Sequence, residues 1–180
     1  MPPVLPIVSH NARVRSAQTL ARNSLESMSI LPKALIAWSS GKDSAWALHE
    51  MRGAGGFEIV GALTTVTDPF RRVSMHGVRE ELLRAQLDAA GLRPVIIQIP
   101  FPCSNDIYER KMAEAVAAAR SSGVTHIIFG DLFLDDVRAY RERQLSGTGI
   151  VPVFPLWGRP TRALAHQMID LLPIGLDIVD

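Results

Sequence analysis

Short apolar runs alternate along the chain with segments of helical composition. A run of about four to eight apolar residues that ends at glycine or polar residues predicts a buried strand. Five such runs occur, at residues 34–38, 57–63, 94–99, 124–129 and 150–154. The alternation predicts an α/β domain with three layers, in which a mostly parallel five-stranded sheet has helices on both faces.

Helices are predicted between these strands and after the last one. Their residues are 45–52, 75–90, 105–121, 134–145 and 162–169. The buried face of the second helix is predicted to carry Val78, Leu82, Ala85 and Ala89. Ser104 or Asn105 is the predicted N-cap of the third helix. The polar residues 64–72 predict a loop after the second strand.

Polar segments follow four of the predicted strands. They are Ser39–Ser44, Thr64–Asp68, Pro100–Asn105 and Gly130–Asp136. The carboxyl ends of parallel strands share one edge of a sheet, and ligands bind there, where the strand order reverses. We therefore expect the four segments to surround one ligand-binding crevice.

The strongest chemical signal is the sequence Ser-Ser-Gly-Lys-Asp-Ser that starts at residue 39, between a strand and a helix. A helix N-terminus offers unpaired backbone N–H groups and a partial positive charge, which attract phosphate. Gly41 lets the backbone approach such a ligand, and Lys42 adds a full positive charge. Three hydroxyl groups can donate to phosphate oxygens, those of Ser39, Ser40 and Ser44.

The loop is not a Walker A loop, because Asp43 rather than serine or threonine follows the Gly-Lys pair. It resembles instead the Ser-Gly-Gly-x-Asp-Ser signature of the pyrophosphate-loop (PP-loop) ATP pyrophosphatases, with Ser40 where glycine is usual. The resemblance implies the Rossmann-like fold of the adenine nucleotide alpha hydrolase-like superfamily. It also implies binding of ATP with Mg²⁺ and cleavage between the α- and β-phosphates.

Four further motifs follow in order. They are His76-Gly-Val-Arg79-Glu80, Gly130-Asp131-Leu132, Arg138-Ala-Tyr-Arg141 and Pro155-Leu-Trp157-Gly158. Together they resemble the diphthine–ammonia ligase-like branch, in particular its bacterial adenine nucleotide alpha hydrolase members, over residues 33–169. This resemblance implies an ATP-dependent amide ligase. A small-molecule or protein carboxylate would be adenylated with release of pyrophosphate, and ammonia or an amine would then displace AMP.

Members of this branch usually continue beyond the Pro-Leu-Trp motif into a Gly-Glu-x-Gly-Glu-type motif on the substrate side of the site. The sequence ends at Asp180 without that motif. Residues 33–180 are thus expected to form the PP-loop ATP-binding domain without the family's C-terminal substrate part. A truncated adenine-nucleotide-binding module without catalysis is therefore an alternative to the ligase.

The resemblance assigns nucleotide contacts to residues 39–44 and to three residues outside this loop, Thr64, His76 and Gly130. Lys42 is expected to act in catalysis by stabilising the departing pyrophosphate. Two other interpretations of His76 are open, an acid–base group and a polar residue at a helix start.

Two aspartates are candidate Mg²⁺ ligands, because Mg²⁺ prefers carboxylate and phosphate oxygens. Asp43 has an alternative role as an acid that favours the helix dipole. Asp131 directly follows a buried strand, which favours a magnesium, substrate or catalytic role over a plain turn. Arg138 and Arg141 either form a solvated charged face or bind an anionic substrate, and Arg138 is the catalytic candidate of the two.

The composition of the chain indicates which partners it lacks and which cellular compartment it fits. The net charge of +1, with interleaved acids and bases, lacks the basic footprint of nucleic-acid-binding proteins. No apolar run approaches the roughly 20 residues of a membrane span. The one cysteine, Cys103, excludes an internal disulfide and fits a reducing, cytoplasmic compartment. A tRNA-modifying or sulfur-transfer PP-loop enzyme, with Cys103 as nucleophile, is a further alternative.

Residues 1–32 precede the first predicted strand, and the first 27 of them carry arginines and serines without an apolar pattern. They are predicted to be a disordered extension, with an organellar transit peptide or a start at Met28 as alternatives. A sheet shortened at its C-terminal end would expose an apolar patch. A homo-oligomer that covers this patch is therefore a further alternative.

Overall fold

The computed structural model of the chain describes residues 31–171. Their elements are β1 (Lys33–Ala37), α1 (Lys42–Ala54), β2 (Glu58–Thr67), β3 (Arg72–Val73), α2 (Glu80–Ala89), β4 (Pro94–Ile99), α3 (Asn105–Ser121), β5 (Val124–Ile128), α4 (Asp135–Leu145), β6 (Val151–Val153) and α5 (Thr161–Leu171). The predicted α/β class is confirmed. The predictions for the N-terminal extension up to residue 30 and for the tail after Leu171 lie outside the described residues. Among the described helices, none is both long enough and apolar enough to cross a bilayer.

The pairing of β2 determines the order of the strands in the sheet. Ala62 and Leu63 of β2 pair with both β1 and β4, so these two strands lie on opposite sides of β2. On the other side of β1, β5 pairs with β1 and β6 pairs with β5, all in parallel. The parallel strands therefore run in the order β4-β2-β1-β5-β6, and the mostly parallel sheet is confirmed.

A sixth strand, β3, corrects the prediction of five strands. The sequence does not predict it because it has only two residues, within a segment that was expected to be a loop. Val66 and Thr67 of β2 pair with both β3 and β4, so β3 lies on the β1 side of β2, beyond the end of β1. It runs antiparallel to β2. The chain after β3 is thereby brought close to the carboxyl end of β1.

The strand order reverses between β1 and β5. From β1 the chain proceeds to β2 and β4 on one side, and then to β5 and β6 on the other. In doubly wound α/β sheets such a reversal opens a crevice at the carboxyl ends of the strands, where ligands bind. The architecture is compatible with a Rossmann-like fold, and the loops after β1 and β5 border its crevice.

Side chains of β1 alternate between two buried clusters, as extended backbone requires. Ala34 and Ile36 belong to one cluster, and Leu35 belongs to the other. The first cluster includes buried residues of α1, α2 and α5, and the second includes buried residues of α3 and α4. Trp38 and Trp46, which flank residues 39–44, are both buried in the first cluster. The core therefore anchors both the strand before this loop and the helix after it.

The predicted helix 75–90 is wrong at its start, because α2 begins at Glu80. The preceding residues form a turn in which Gly77 has φ +65° and its N donates to Val73 O at 2.9 Å. Glycine adopts this left-handed backbone without steric penalty, and a helix cannot continue through it. His76 therefore lies in a turn and not at a helix start.

Of the predicted buried face of α2 and the predicted N-cap of α3, the first is wrong and the second is confirmed. The predicted buried face of α2 is wrong, since Leu83 and Leu87 are buried whereas Leu82 is 49% exposed. The face that meets the core is therefore offset by one residue from the predicted one. The N-cap of α3 is confirmed, because Ser104 Oγ accepts a hydrogen bond from Ile107 N at 3.4 Å.

A buried carboxylate anchors the start of α2. Glu80 accepts hydrogen bonds from Arg84, at 2.7 and 3.0 Å, and from Arg71 at 3.4 Å. The hydrogen bonds from Arg84 lower the pKa of Glu80 below its ordinary value, with help from Arg71 and against burial, which raises it. The three residues tie the backbone before β3 to the first turn of α2.

We expect the free energy of unfolding to fall as the pH drops below about 5, and Glu80→Gln to remove part of this fall. Because the folded pKa of Glu80 lies below its ordinary value of 4.5, the ionised carboxylate stabilises the fold above that value. The contribution disappears as the pH falls through the folded pKa. Urea unfolding at about pH 7 and about pH 3.5 measures the effect, with the exposed Glu81→Gln as the matched control. An equal pH dependence in wild type and Glu80→Gln would contradict it.

Candidate functional site

Residues 39–44 join the end of β1 to α1 at the point where the strand order reverses. Gly41 is the N-cap of α1 and has extended backbone, with φ −100° and ψ 166°. Ser40 has φ +64°, in the left-handed region that residues with a Cβ rarely adopt. The PP-loop signature has glycine at this position. The loop conformation therefore suits glycine, and serine holds it at a cost of about 1 kcal/mol.

The hydroxyl groups of Ser39 and Ser44 bond within the loop itself. Ser44 Oγ donates to Gly41 O at 2.8 Å and lies 3.3 Å from Ser39 Oγ. Gly41 N donates to Ser39 Oγ at 3.4 Å. Ser40 Oγ differs, because it is buried and has no hydrogen-bond partner within residues 31–171. Two hydroxyls thus shape the loop, and the third is left without a partner among the described residues.

The Ser40→Gly variant is expected to be more stable than the Ser40→Ala variant. The expected difference in the free energy of unfolding is about 1 kcal/mol. Both variants remove the buried hydroxyl, but only glycine relieves the left-handed backbone. Glycine also makes the unfolded chain more flexible, which reduces the gain. Chemical denaturation of the two variants measures the difference. A more stable Ser40→Ala would mean that residue 40 has no positive φ in solution.

Lys42 and Asp43 form an exposed ion pair in the first turn of α1. Lys42 Nζ lies 2.9 and 3.0 Å from the two carboxylate oxygens of Asp43, and the Lys42 side chain is 74% exposed. Such exposed pairs contribute about 0–1 kcal/mol, so Lys42 Nζ can turn towards an anion at little cost. The Asp43 carboxylate also favours the helix dipole. Both roles expected of Asp43 are compatible with this geometry.

His76 contacts the loop from the turn after β3. Its Nδ1 lies 2.8 Å from Ser39 O. A Cβ built on Gly41 would lie 2.9 Å from His76 Cε1, closer than real Cβ atoms approach other atoms. Gly41 therefore allows the imidazole ring to lie directly against the loop.

Thr64 lies in β2 beside the end of β1, where Trp38 N donates to Leu63 O at 2.8 Å. It is not at the strand end, as was expected from the sequence, because β2 continues to Thr67. Thr64 is 4% exposed, and its Oγ1 has no hydrogen-bond partner in the described part of the chain. Burying a hydroxyl in this state costs about 1–3 kcal/mol. A ligand that accepts a hydrogen bond from Thr64 would remove this cost.

Gly130 brings the end of β5 against the first turn of α1. A Cβ built on Gly130 would lie 2.8 Å from the carbonyl C and O of Asp43 and 3.0 Å from Ser44 N. Only glycine allows two backbones to approach this closely. The segment after β5 therefore borders the loop 39–44 directly.

Asp131 follows Gly130 and faces Arg141 of α4. Asp131 Oδ2 and Arg141 Nε are 3.7 Å apart, which is close enough for an ion pair but too long for a hydrogen bond. Both atoms are buried, and neither has a hydrogen-bond partner among the residues described. The Arg141 guanidinium lies over the ring of Phe129, 5.1 Å from its centroid. The gap between the two side chains thus presents one buried acceptor and one buried donor beside the loop.

Arg138 lies against two aromatic rings near the same edge of the sheet. Its guanidinium carbon is 4.9 Å from the ring centroids of both Phe154 and Trp157. Its Nε donates to Glu142 Oε1 at 2.8 Å. The aromatic contacts orient the guanidinium through cation–π attraction. Arg138 is therefore held in place and is not part of a freely solvated charged face.

Three sequence motifs converge through these contacts. Gly158 N donates to Leu132 O at 2.9 Å, which joins the Pro-Leu-Trp-Gly segment to the Gly-Asp-Leu segment. The Arg138–Arg141 segment contacts aromatic residues of both neighbouring strand ends. Residues far apart in the sequence thus form one polar and aromatic surface next to the loop 39–44.

The two candidate Mg²⁺ ligands lie on segments whose backbones touch, since Gly130 contacts Asp43 and precedes Asp131. Nowhere in residues 31–171 do three or more His, Cys, Asp or Glu side chains come together as a metal site. Mg²⁺ bound with a nucleotide usually has one or two carboxylate ligands besides phosphate oxygens and water. The two carboxylates therefore suit a Mg²⁺ ion that phosphates also bind.

Sequence reasoning missed the aromatic side chains at the carboxyl ends of the strands. Phe129 and Phe154 lie at strand ends, where an aromatic residue has the same pattern as a core residue. Phe70 and Phe101 follow β2 and β4 and contact each other with ring centroids 5.0 Å apart, although they are 54% and 64% exposed. No periodicity distinguishes such a pair from isolated loop residues.

His76 and Gly130 contact the loop 39–44, and Asp131 follows Gly130. Thr64 lies in β2 beside the end of β1, and Arg138 lies on α4 one turn before Arg141, which pairs with Asp131. The parallel pairing places the carboxyl ends of β1, β2, β4 and β5 at one edge of the sheet, and a single ligand-binding crevice formed by the segments after them stays a prediction. The sequence of the chain matches no model of a known protein family and no curated protein.

Proposed function

We propose that the chain binds Mg-ATP at residues 39–44 as a member of the PP-loop ATP pyrophosphatase superfamily, with its three-layer adenine nucleotide alpha hydrolase-like fold. The observation that carries the proposal is the loop at the strand reversal, where Ser40 Oγ and Thr64 Oγ1 are buried donors without partners inside residues 31–171. Phosphate and ribose oxygens are acceptors that would satisfy such donors. The donor set and the helix N-terminus of α1 therefore fit a nucleotide.

The residues divide into three parts around the proposed nucleotide. The backbone of the loop and Lys42 would hold the phosphates, and Thr64 would contact the nucleoside side. Asp43 and Asp131 would hold Mg²⁺ together with phosphate oxygens. Gly130 contributes by its lack of a side chain, which lets the segment that carries Asp131 lie directly against the backbone of Asp43.

We propose in addition that the chemistry is that of an ATP-dependent amide ligase of the diphthine–ammonia ligase-like branch. Bound ATP supplies an adenylyl group that activates a carboxylate and a pyrophosphate that leaves. Lys42 and the N-terminus of α1 would stabilise the negative charge of the leaving pyrophosphate. Arg138, oriented by its aromatic neighbours, would bind the carboxylate of a small molecule or a protein. After adenylation, ammonia or an amine would attack the acyl carbon, and AMP would leave as the amide forms.

Exchange of labelled pyrophosphate into ATP, measured with panels of carboxylate substrates, tests the ligase chemistry. A ligase is expected to catalyse exchange with at least one carboxylate, and Lys42→Ala is expected to abolish it. Calorimetric binding of Mg-ATP without exchange in any panel would instead identify a nucleotide-binding module. Retention of activity in Cys103→Ser would exclude sulfur-transfer chemistry at this cysteine.

A further inference from the structure

The segment Arg72–Arg79, the strap, lies beside the loop 39–44. Hydrogen bonds within the strap and to the sheet hold it in place. Within the strap, Gly77 N donates to Val73 O at 2.9 Å. Ser74 N donates to Thr65 O of β2 at 3.0 Å, so the strap is attached to the sheet. The strap can therefore act as a fixed support for whatever it touches.

The strap reaches the loop through one side chain, that of His76. Nδ1 of His76 bonds to Ser39 O at 2.8 Å, and Cε1 lies against Gly41. These two contacts lie on either side of Ser40, the residue with φ +64°. His76 is exposed, so core packing does not require this arrangement. The contact instead supports the least favourable backbone conformation of the loop.

The direction of this hydrogen bond follows from its acceptor. A backbone carbonyl oxygen only accepts hydrogen bonds, so Nδ1 of His76 must carry the hydrogen. The Nδ1–H form of the neutral ring and the protonated ring both meet this requirement. The contact with Ser39 is therefore specific for a donor at Nδ1 and does not need a donor at Nε2.

We propose that His76 is a positioning residue for the nucleotide loop. Its Nδ1–H holds the carbonyl of Ser39, and with it the left-handed backbone of Ser40, in the conformation that receives phosphate. This inference rests on the proposed binding of Mg-ATP, and it replaces the direct nucleotide contact that the sequence suggested for His76. A loop that is fixed before the ligand arrives loses less conformational freedom on binding.

Three substitutions at residue 76 separate positioning from direct contact. Asparagine carries its amide N–H at the place of Nδ1, glutamine carries it near the place of Nε2, and alanine carries none. Calorimetric titration with Mg-ATP is expected to show His76→Asn within about threefold of wild type in Kd. His76→Gln and His76→Ala are expected to bind roughly 3- to 10-fold more weakly, as for the loss of one hydrogen bond. The opposite order of Asn and Gln, or three variants equal to wild type, would overturn the proposal.

A measurement on the ligand-free wild type decides the inference even if Mg-ATP does not bind. Long-range ¹H–¹⁵N spectra of the imidazole are expected to show the Nδ1–H tautomer of His76, and amide exchange at Gly41 is expected to accelerate in His76→Ala but not in His76→Asn. An Nε2–H tautomer with unchanged exchange would overturn the positioning role alone. The expected tautomer and exchange without any binding of Mg-ATP would overturn the proposed function and leave the support of the loop by His76 standing.

Discussion

Lys42→Ala is expected to raise the Kd for Mg-ATP roughly 10- to 100-fold while the free energy of unfolding changes by less than about 1 kcal/mol. The two effects separate because Lys42 is exposed and, among the residues described, pairs only with the half-buried Asp43 carboxylate. A charge-assisted contact with phosphate contributes more than this exposed pair. Calorimetry with Mg-ATP and urea denaturation of the same preparation measure the two quantities.

Lys111→Ala is the matched control for this experiment, because it removes the same charge from α3, away from the loop. The control is expected to bind Mg-ATP as the wild type does. Equal losses of affinity in the two variants would point to a general charge effect, and unchanged affinity in Lys42→Ala would contradict the role of this lysine.

Gly130→Ala is expected to destabilise the fold by about 1–3 kcal/mol and to abolish measurable binding of Mg-ATP. The added methyl group would meet the backbone of Asp43 at 2.8 Å, and backbone atoms cannot rotate away as a flexible side chain can. Relief of the contact requires β5 and α1 to separate, which would move the loop 39–44. Urea denaturation and calorimetry measure both effects.

Gly53→Ala is the matched control for steric change at a glycine. Gly53 lies in α1, and a Cβ there would have no atom within 4 Å apart from its chain neighbours and the backbone of its own helix. Alanine favours the helix over glycine by about 0.5–1 kcal/mol, so this variant is expected to gain stability and to bind Mg-ATP normally. A Gly130→Ala variant as stable as Gly53→Ala would contradict the close approach of β5 to α1.

The strands and most helices follow from apolar patterning because each buries a face long enough to leave a periodic signal. The run 34–38 and the glycine after it suffice to predict β1 and the turn into α1. Strand order is different, because it depends on pairing between distant residues such as Ala62 and Pro94. A single sequence carries no periodicity for such pairs.

The backbone of the loop 39–44 follows from local sequence, whereas the contacts that His76 makes with it depend on tertiary structure. The glycine preference of the PP-loop signature at residue 40 corresponds to the positive φ of Ser40. By contrast, His76 reaches the loop only because β3 lies beyond the end of β1 and Gly77 turns the chain. A helical pattern over 75–90 hides this turn, since an isolated glycine does not by itself exclude a helix.

Amide chemical-shift mapping by ¹⁵N NMR, with Mg-ATP added to the uniformly labelled protein, tests the central claim most directly. The account predicts that the largest shifts occur at Ser40, Gly41 and Lys42, with further shifts at Thr64 and Gly130. Absence of any shift at about 5 mM Mg-ATP, well above the range of ordinary nucleotide affinities, would contradict it. Shifts confined to the groove between α3 and α4, which Met112 and Tyr140 help to line, would contradict it equally.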